Sequence, residues 1–285
     1  MKKAYILFFL LVSIFLIDSR KEGFTATTGN PLDLDVPKQS AILRQDVIDD
    51  TLDECEQKVK IKSSLDIEFV LDKDLNTNPD ITGAEMEGRW VMVKLGTTLF
   101  NRVEPYIKIG NSNLELRWKQ GSQEIKVDSG AGFAWGAGLK GIICEFEDSG
   151  IRLTGDVQYR TTEPDVDKCS IDKNAVKDTG ADFDVYELQA SLVLSKKLEI
   201  PLKWQSIYMV PYIGATFSDS TIDAKFRDPN NPQADYTLFN ANNQKRGGLV
   251  IGCDIVPSLK SAFIYSIEAR LFNETALSLG GAMKF

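Results

Sequence analysis

The chain has 285 residues, of which 33 are lysine or arginine and 41 are aspartate or glutamate, so its formal net charge is −8. A chain of this length can bury a core without disulfides. The acidic balance argues against nucleic-acid binding, which needs a basic face. The absence of histidine argues against Ser-His-Asp and Cys-His catalysis and against histidine-ligated zinc. We therefore expect no catalytic, cofactor or metal site.

The N-terminus has the pattern of an export signal. Lys2 and Lys3 form a basic start, and an apolar stretch of 14 residues runs from Ala4 to Ile17. That stretch is shorter than the roughly 20 apolar residues of a membrane-spanning helix. A polar segment with small residues follows, so residues 1–26 are predicted to be a secretory signal peptide. An uncleaved N-terminal anchor is the alternative.

Residues 27–57 differ from the rest of the chain because they are acidic and do not alternate. Residues 30–37 are extended in character, and residues 40–57 could form a short acidic helix. We predict a short N-terminal periplasmic segment here, followed by a single domain over residues 58–285.

The region from Val59 to Leu71 carries the clearest strand signal. Apolar residues occupy one parity, with Ser63 as the only exception, while the other parity is polar and mostly charged from Lys60 to Glu68. Such alternation predicts a strand with one apolar and one polar face. The region is long for a globular strand of about five or six residues, and it matches a tilted transmembrane strand of about 9–11 residues with its ends.

Similar alternation recurs along the chain and predicts about ten strands. Their ranges are 58–72, 86–99, 103–119, 130–145, 150–160, 183–197, 207–226, 245–256, 261–272 and 275–285. The long, polar connections are those near 73–85, 120–129, 161–182 and 227–244. The other connections are mostly short. Long connections at one end and short turns at the other are typical of an all-β, antiparallel up-and-down transmembrane β-barrel.

The end of the chain has the same alternation. Leu277, Leu279, Gly281 and Met283 share one parity, and the chain ends on Phe285. This ending resembles the terminal strand of bacterial outer-membrane β-barrels, of the small porin-like or outer-membrane-protein-A-like kind. The resemblance implies a place in the Gram-negative outer membrane, contact with its lipid, and recognition of Phe285 as an assembly signal by the barrel assembly machinery. A soluble, exported β-sandwich is the alternative fold.

If the apolar parity faces lipid, the other parity lines the interior. The candidate lumen-lining residues are Lys60, Lys62, Asp66, Glu68, Glu115, Arg117, Lys140, Arg152, Asp156, Arg160, Glu187, Glu268 and Arg270. Ten strands is close to the number at which side chains fill a barrel. These charges therefore either pair in a structural lumen or line a narrow hydrophilic pathway.

Two functions follow from this interpretation. The first is a structural barrel or a narrow, porin-like channel for small solutes. The second is a barrel that binds or adheres through its outer loops. An enzyme is not expected, and the oligomeric state is left open.

The four cysteines are Cys55, Cys144, Cys169 and Cys253, and they form no Cys-x-x-Cys motif. This spacing argues against metal and redox function, although export permits disulfides. Cys55 and Cys144 are both predicted near the periplasmic end and could pair, Cys169 falls in an outer loop, and Cys253 fits a small apolar position. Four cysteines allow three pairings, and the sequence does not choose among them.

Overall fold

The computed structural model describes residues 59–99, 102–146, 149–176, 182–202, 206–227, 235–257 and 263–284. The predicted signal peptide, the N-terminal segment with Cys55, and Phe285 lie outside the described residues. Within those ranges we find no helix that is both long enough and apolar enough to span a bilayer.

The described residues form fifteen strands. They are β1 (Val59–Asn76), β2 (Ile81–Leu99), β3 (Val103–Gln120), β4 (Gln123–Ser129), β5 (Gly132–Phe146), β6 (Ile151–Thr162), β7 (Val166–Ile171), β8 (Asn174–Val176), β9 (Asp182–Lys196), β10 (Leu198–Pro201), β11 (Ser206–Arg227), β12 (Asp235–Asn243), β13 (Gly247–Val256), β14 (Phe263–Leu271) and β15 (Thr275–Lys284).

Ten of these strands close into one antiparallel barrel. Around the wall the order is β1, β2, β3, β5, β6, β9, β11, β13, β14 and β15. The ring closes where β15 pairs with β1, from Lys62 opposite Lys284 to Asp72 opposite Thr275. The predicted ten-stranded up-and-down barrel is confirmed. Because the ring is closed, each wall strand forms backbone hydrogen bonds with a neighbour on both sides, as a lipid environment requires.

Five short strands lie within the connections that the sequence assigns to loops and turns. Strand β4 pairs with β3 and β7, and β8 pairs with β7. Strand β12 pairs with the upper end of β11 and with Leu75 and Asn76 of β1. These strands prolong the barrel at one end, which we call the upper end. The lower end is the one where β1 begins. Strand β10 pairs with β11 at that lower end.

The outer wall carries an apolar belt along the lower part of the barrel. Large apolar side chains are exposed on all ten wall strands: Ile61, Leu65, Val93, Leu95, Ile107, Ile109, Phe133, Trp135, Leu139, Ile143, Val157, Tyr159, Leu188, Leu192, Leu194, Ile213, Phe217, Ile251, Phe263, Tyr265, Ile267, Leu271 and Leu279. An apolar band around a closed wall is the surface that hydrocarbon covers in an outer-membrane barrel.

Above the belt the two faces of the wall exchange character. On β3 the exposed side chains of the lower part are Ile107 and Ile109, but higher up Leu114, Leu116 and Trp118 point inward and are fully buried. Glu85 and Glu87 of β2 are partly exposed there, and Arg89 is exposed. The wall is therefore apolar outside and polar inside below, and polar outside and apolar inside above.

The exchange coincides with irregular backbone on the first two strands. The pairing of β1 with β2 shifts register between Val70 and Lys73. Opposite this shift, Gly88 has a φ of 144°, and a Cβ there would lie 2.4 Å from the carbonyl oxygen of Asn113. Only glycine accommodates both this conformation and this close approach. On β1 the irregularity changes which parity points inward, because Val70, Lys73 and Leu75 are all buried.

Candidate functional site

Most of the candidate lumen-lining residues lie inside the barrel. The buried ones are Lys62, Asp66, Glu68, Lys140, Asp156, Arg160, Glu187, Glu268 and Arg270. Arg152 sits near the lower end of β6, partly exposed, with its guanidinium 2.8 Å from a carboxylate oxygen of Glu145. The side chain of Lys60 lies outside the described residues.

Glu115 and Arg117 are the exceptions, because they lie on the outer face of β3. Their side chains are partly exposed and form an ion pair, with 2.9 Å between Arg117 Nη2 and Glu115 Oε1. The lumen-lining assignment is wrong for these two residues. The sequence pattern assigns the apolar parity to the lipid side, but at this height the apolar Leu116 and Trp118 face an interior core.

Several buried charged residues of the lumen are missing from the sequence-based list. They are Lys73, Lys94, Glu104, Lys108, Asp254 and Glu274. Lys73 falls in a predicted loop and Glu274 in a predicted turn, so no strand parity applied to them. Lys94 could have been found, because it lies between Val93 and Leu95, both of which are exposed to the outside.

An ion-pair network bridges opposite walls of the barrel. Lys73 on β1 lies 2.9 Å from Glu187 on β9, five strands away in either direction around the ring. Arg160 on β6 contacts the same Glu187 at 2.9 Å and also pairs with Glu68 on β1. At this level, side chains from opposite walls therefore meet across the full diameter. Since each carboxylate faces two or more cations, the buried charges are compensated.

The turn between β14 and β15 contributes to the same network. Its residues Asn273 and Glu274 are buried, and Glu274 lies 3.1 Å from Arg270 and 3.2 Å from Lys73. Phe272 in this turn is exposed and has a φ of 82°, which is rare for a bulky side chain. The turn is thus folded inward over the lumen, and the Glu274 carboxylate contacts Lys73 and Arg270 there.

Further ion pairs occupy the lower lumen. They are Lys62 with Glu104, Lys94 with Glu104 at 3.7 Å, Lys108 with Asp66 at 3.3 Å, and Lys140 with Asp156 at 3.8 Å. Lys108 also donates a hydrogen bond to Gln158 at 3.0 Å. Charges of both signs therefore alternate along the part of the lumen that the belt surrounds. The sequence allows either paired charges in a structural lumen or a narrow hydrophilic pathway, and this pairing matches the first.

Two tyrosines lie flat over glycines of the neighbouring strand. Tyr106 is directly opposite Gly138, and a Cβ on Gly138 would lie 2.3 Å from the tyrosine ring. Tyr212 is opposite Gly252 in the same way, at 2.2 Å. Each hydroxyl donates a hydrogen bond of 2.8 Å to a buried carboxylate, Asp156 for Tyr106 and Glu268 for Tyr212. The ring fills the space that a side chain would take.

An apolar core fills the barrel above the ion-pair network. Its members include Met86, Trp90, Leu114, Leu116 and Trp118, all fully buried. The added strands complete it with Ile125 and Val127 from β4, Cys169 and Ile171 from β7, and Leu238 and Ala241 from β12. The Arg160 guanidinium lies 4.4 Å from the Trp90 ring and joins the core to the network below. Core and network together occupy the interior above the lower ion pairs.

The described residues hold no group of three or more side chains placed to bind a metal ion. Among the described cysteines, Cys144 and Cys253 are partly buried, and Cys169 is buried in the apolar core. The conceivable Cys55–Cys144 bridge involves a residue outside the described ranges, so it stays a prediction.

No family model and no curated protein matches the chain. Among solved structures, it is similar to the outer membrane protein OprG from Pseudomonas aeruginosa, with 10% identity over 80% of this chain and 96% of OprG and a TM-score of 0.37. It is also similar to the translocator domain of the autotransporter NalP from Neisseria meningitidis, with 13% identity over 87% of this chain and 95% of that domain and a TM-score of 0.35. The transport unit of the autotransporter AIDA-I from Escherichia coli has 9% identity over 90% of this chain and 98% of that unit, with a TM-score of 0.37.

Likeness at this level concerns the fold and says nothing about activity. The class follows from the wall itself: a closed antiparallel ring of ten strands, apolar outside and charged inside along the belt. These features define the chain as a β-barrel of the bacterial outer-membrane kind.

Proposed function

We infer that the protein is a non-conducting outer-membrane barrel that supports a β-structured domain above the membrane surface. The observation that carries this inference is the closed interior, where Lys73 and Glu187 meet across the bore beneath the apolar core. A narrow porin-like channel, the other function considered from the sequence, needs a continuous polar path. A core of fully buried leucine and tryptophan side chains interrupts such a path.

We call the added strands β4, β7, β8 and β12, together with the wall above the belt, the upper domain. It is the part suited to contact with other molecules. Its outer face is charged, its interior is packed, and its strands continue directly from the wall. Rigid strands hold a binding surface more accurately than mobile loops do. We therefore favour binding or adhesion through this surface, without catalysis. Insertion by the barrel assembly machinery through Phe285, and a location in the Gram-negative outer membrane, belong to the same proposal.

Planar-bilayer recording of the refolded protein tests the closed lumen. Folding is confirmed first by the difference in gel mobility between boiled and unboiled samples. We expect a folded, inserted barrel that gives no discrete conductance steps. Small, reproducible steps would support the narrow channel instead. Failure to insert would contradict the membrane barrel altogether.

A further inference from the structure

The lower mouth of the barrel is sheltered from water almost to the ends of its strands. Six side chains that face the lumen there lie among the last three residues of a strand, yet each is at most 4% exposed. They are Thr98, Ser195, Tyr208, Val256, Ile264 and Ala282, from six different wall strands. An uncovered cylinder would leave its last inward side chains in contact with water.

These side chains do not account for their own shelter. Thr98, Ser195 and Ala282 are small and lie on β2, β9 and β15, so none of them reaches across the opening. Tyr208 is the largest of the six, but its ring lies toward the rim, where the Lys197 ammonium is 4.9 Å from the ring centre. Burial this complete therefore needs a cover beyond these six side chains.

The mouth presents an apolar surface beside a basic rim. One half of it is a single apolar cluster on the neighbouring strands β11, β13, β14 and β15, which we call the mouth cluster. Its members are Tyr208, Val256, Ile264 and Ala282. Among the side chains described at the rim, Arg102, Lys196 and Lys197 outnumber Glu199, while Arg152 is paired with Glu145. A cover that fits this mouth has an apolar face and an acidic face.

Residues 40–57 have the matching sequence and the matching position. They carry Arg44 against six carboxylates, a net charge of −5. In the short helix that the sequence predicts, Ile48, Leu52 and Cys55 recur every three or four residues and share one face. Another face carries Asp46, Asp49, Asp50 and Asp53. Only Lys58 separates this segment from β1, so the segment ends at the rim of the lower mouth.

We propose that residues 40–57 lie across the lower mouth and cover it. The face with Ile48 and Leu52 packs on the mouth cluster, and the aspartate face meets the basic rim. Because the segment is joined to β1 at the rim, its docking is intramolecular and needs little intrinsic affinity. This cover is a second interaction surface, beyond the proposed function, which concerns the barrel interior and the upper domain.

The test is thiol labelling of the full chain, refolded in detergent, with its four native cysteines replaced by alanine and a water-soluble maleimide as the probe. Ser195→Cys and Ala282→Cys should each label at least about tenfold more slowly than the exposed Glu199→Cys, because their thiols react only when the cover opens. Adding Ile48→Asp and Leu52→Asp together should bring both rates close to that of Glu199→Cys, since the apolar contact that holds the cover is lost.

Leu32→Asp with Leu34→Asp is the matched control, because it adds the same charges outside residues 40–57, and both thiols should stay slow. Labelling as fast as that of Glu199→Cys without any change in the segment would overturn the proposal. So would slow labelling that persists after Ile48→Asp and Leu52→Asp, because the wall itself would then shelter the mouth. The heat-dependent gel shift checks the folding of each variant, and two probe positions keep the test usable if one of them fails to fold. A displaced cover leaves the ion-pair network and the apolar core in place, so this proposal and the proposed function fail separately.

Discussion

Replacing Gly138 with alanine should destabilise the barrel because it displaces Tyr106. The new Cβ would lie 2.3 Å from the tyrosine Cζ and 2.4 Å from its hydroxyl oxygen, far inside van der Waals contact. Overpacking of this kind costs about 1–3 kcal/mol. Displacement also breaks the 2.8 Å hydrogen bond to Asp156 and leaves that buried carboxylate short of a donor, for about 1–3 kcal/mol more. The expected total is about 2–6 kcal/mol.

Urea unfolding of the vesicle-inserted protein, followed by tryptophan fluorescence, measures this loss. Gly281→Ala is the matched control, since nothing lies within 4 Å of a Cβ at that position. It should change the free energy of unfolding by less than about 0.5 kcal/mol. Adding Tyr106→Ala to Gly138→Ala should make the two changes strongly non-additive. Equal effects of Gly138→Ala and Gly281→Ala would refute the reasoning.

Three further changes probe other parts of the lumen and the upper domain. Arg160→Met leaves the buried carboxylates of Glu68 and Glu187 without this partner and should lower the free energy of unfolding in urea by about 3–5 kcal/mol. The exposed Arg246→Met should lower it by less than about 1 kcal/mol. Similar losses for the two variants would contradict the network. Trp118→Ala should cost about 3–5 kcal/mol and expose the upper strands to protease while the heat-dependent gel shift persists; unchanged proteolysis would count against the upper core. Burial raises the pKa of Glu115, but hydrogen bonds from Lys126 and Arg117 lower it overall from 4.5. Its stabilising effect should therefore be complete above about pH 4.5 and fade below it, so the wild type should lose its advantage over Glu115→Gln in acid.

The sequence predicts the wall well because lipid imposes a regular pattern on it. Within the belt, every second residue must be apolar and its neighbours can be polar, so alternation gives strand limits within a few residues. The predicted range 103–119, for example, becomes Val103–Gln120 in the structure. Length also helps, since strands this long are unusual in soluble sheets.

The upper domain could not be predicted in the same way, because alternation does not say which face is the outside. On β3 the apolar parity passes from Ile107 and Ile109 to Leu114 and Leu116, and only the four residues from Gly110 to Asn113 separate them. Both halves read as ordinary two-faced strands. Strand β4 has only Ile125 and Val127 as large apolar residues, too few to distinguish it from a polar loop. The height at which solvent replaces lipid along the wall depends on the closed barrel as a whole, so the alternation of a single strand does not reveal it.

The inward orientation of Trp118 is the most direct test of this change of environment. Two single-tryptophan variants, keeping either Trp118 or Trp135 with phenylalanine at the other tryptophan positions, would be refolded into vesicles of brominated phospholipid. Trp135 is 46% exposed on the belt and should be strongly quenched, whereas Trp118 is 0% exposed and should keep its fluorescence. Quenching of Trp118 as strong as that of Trp135 would place it against lipid and contradict an apolar core above the membrane.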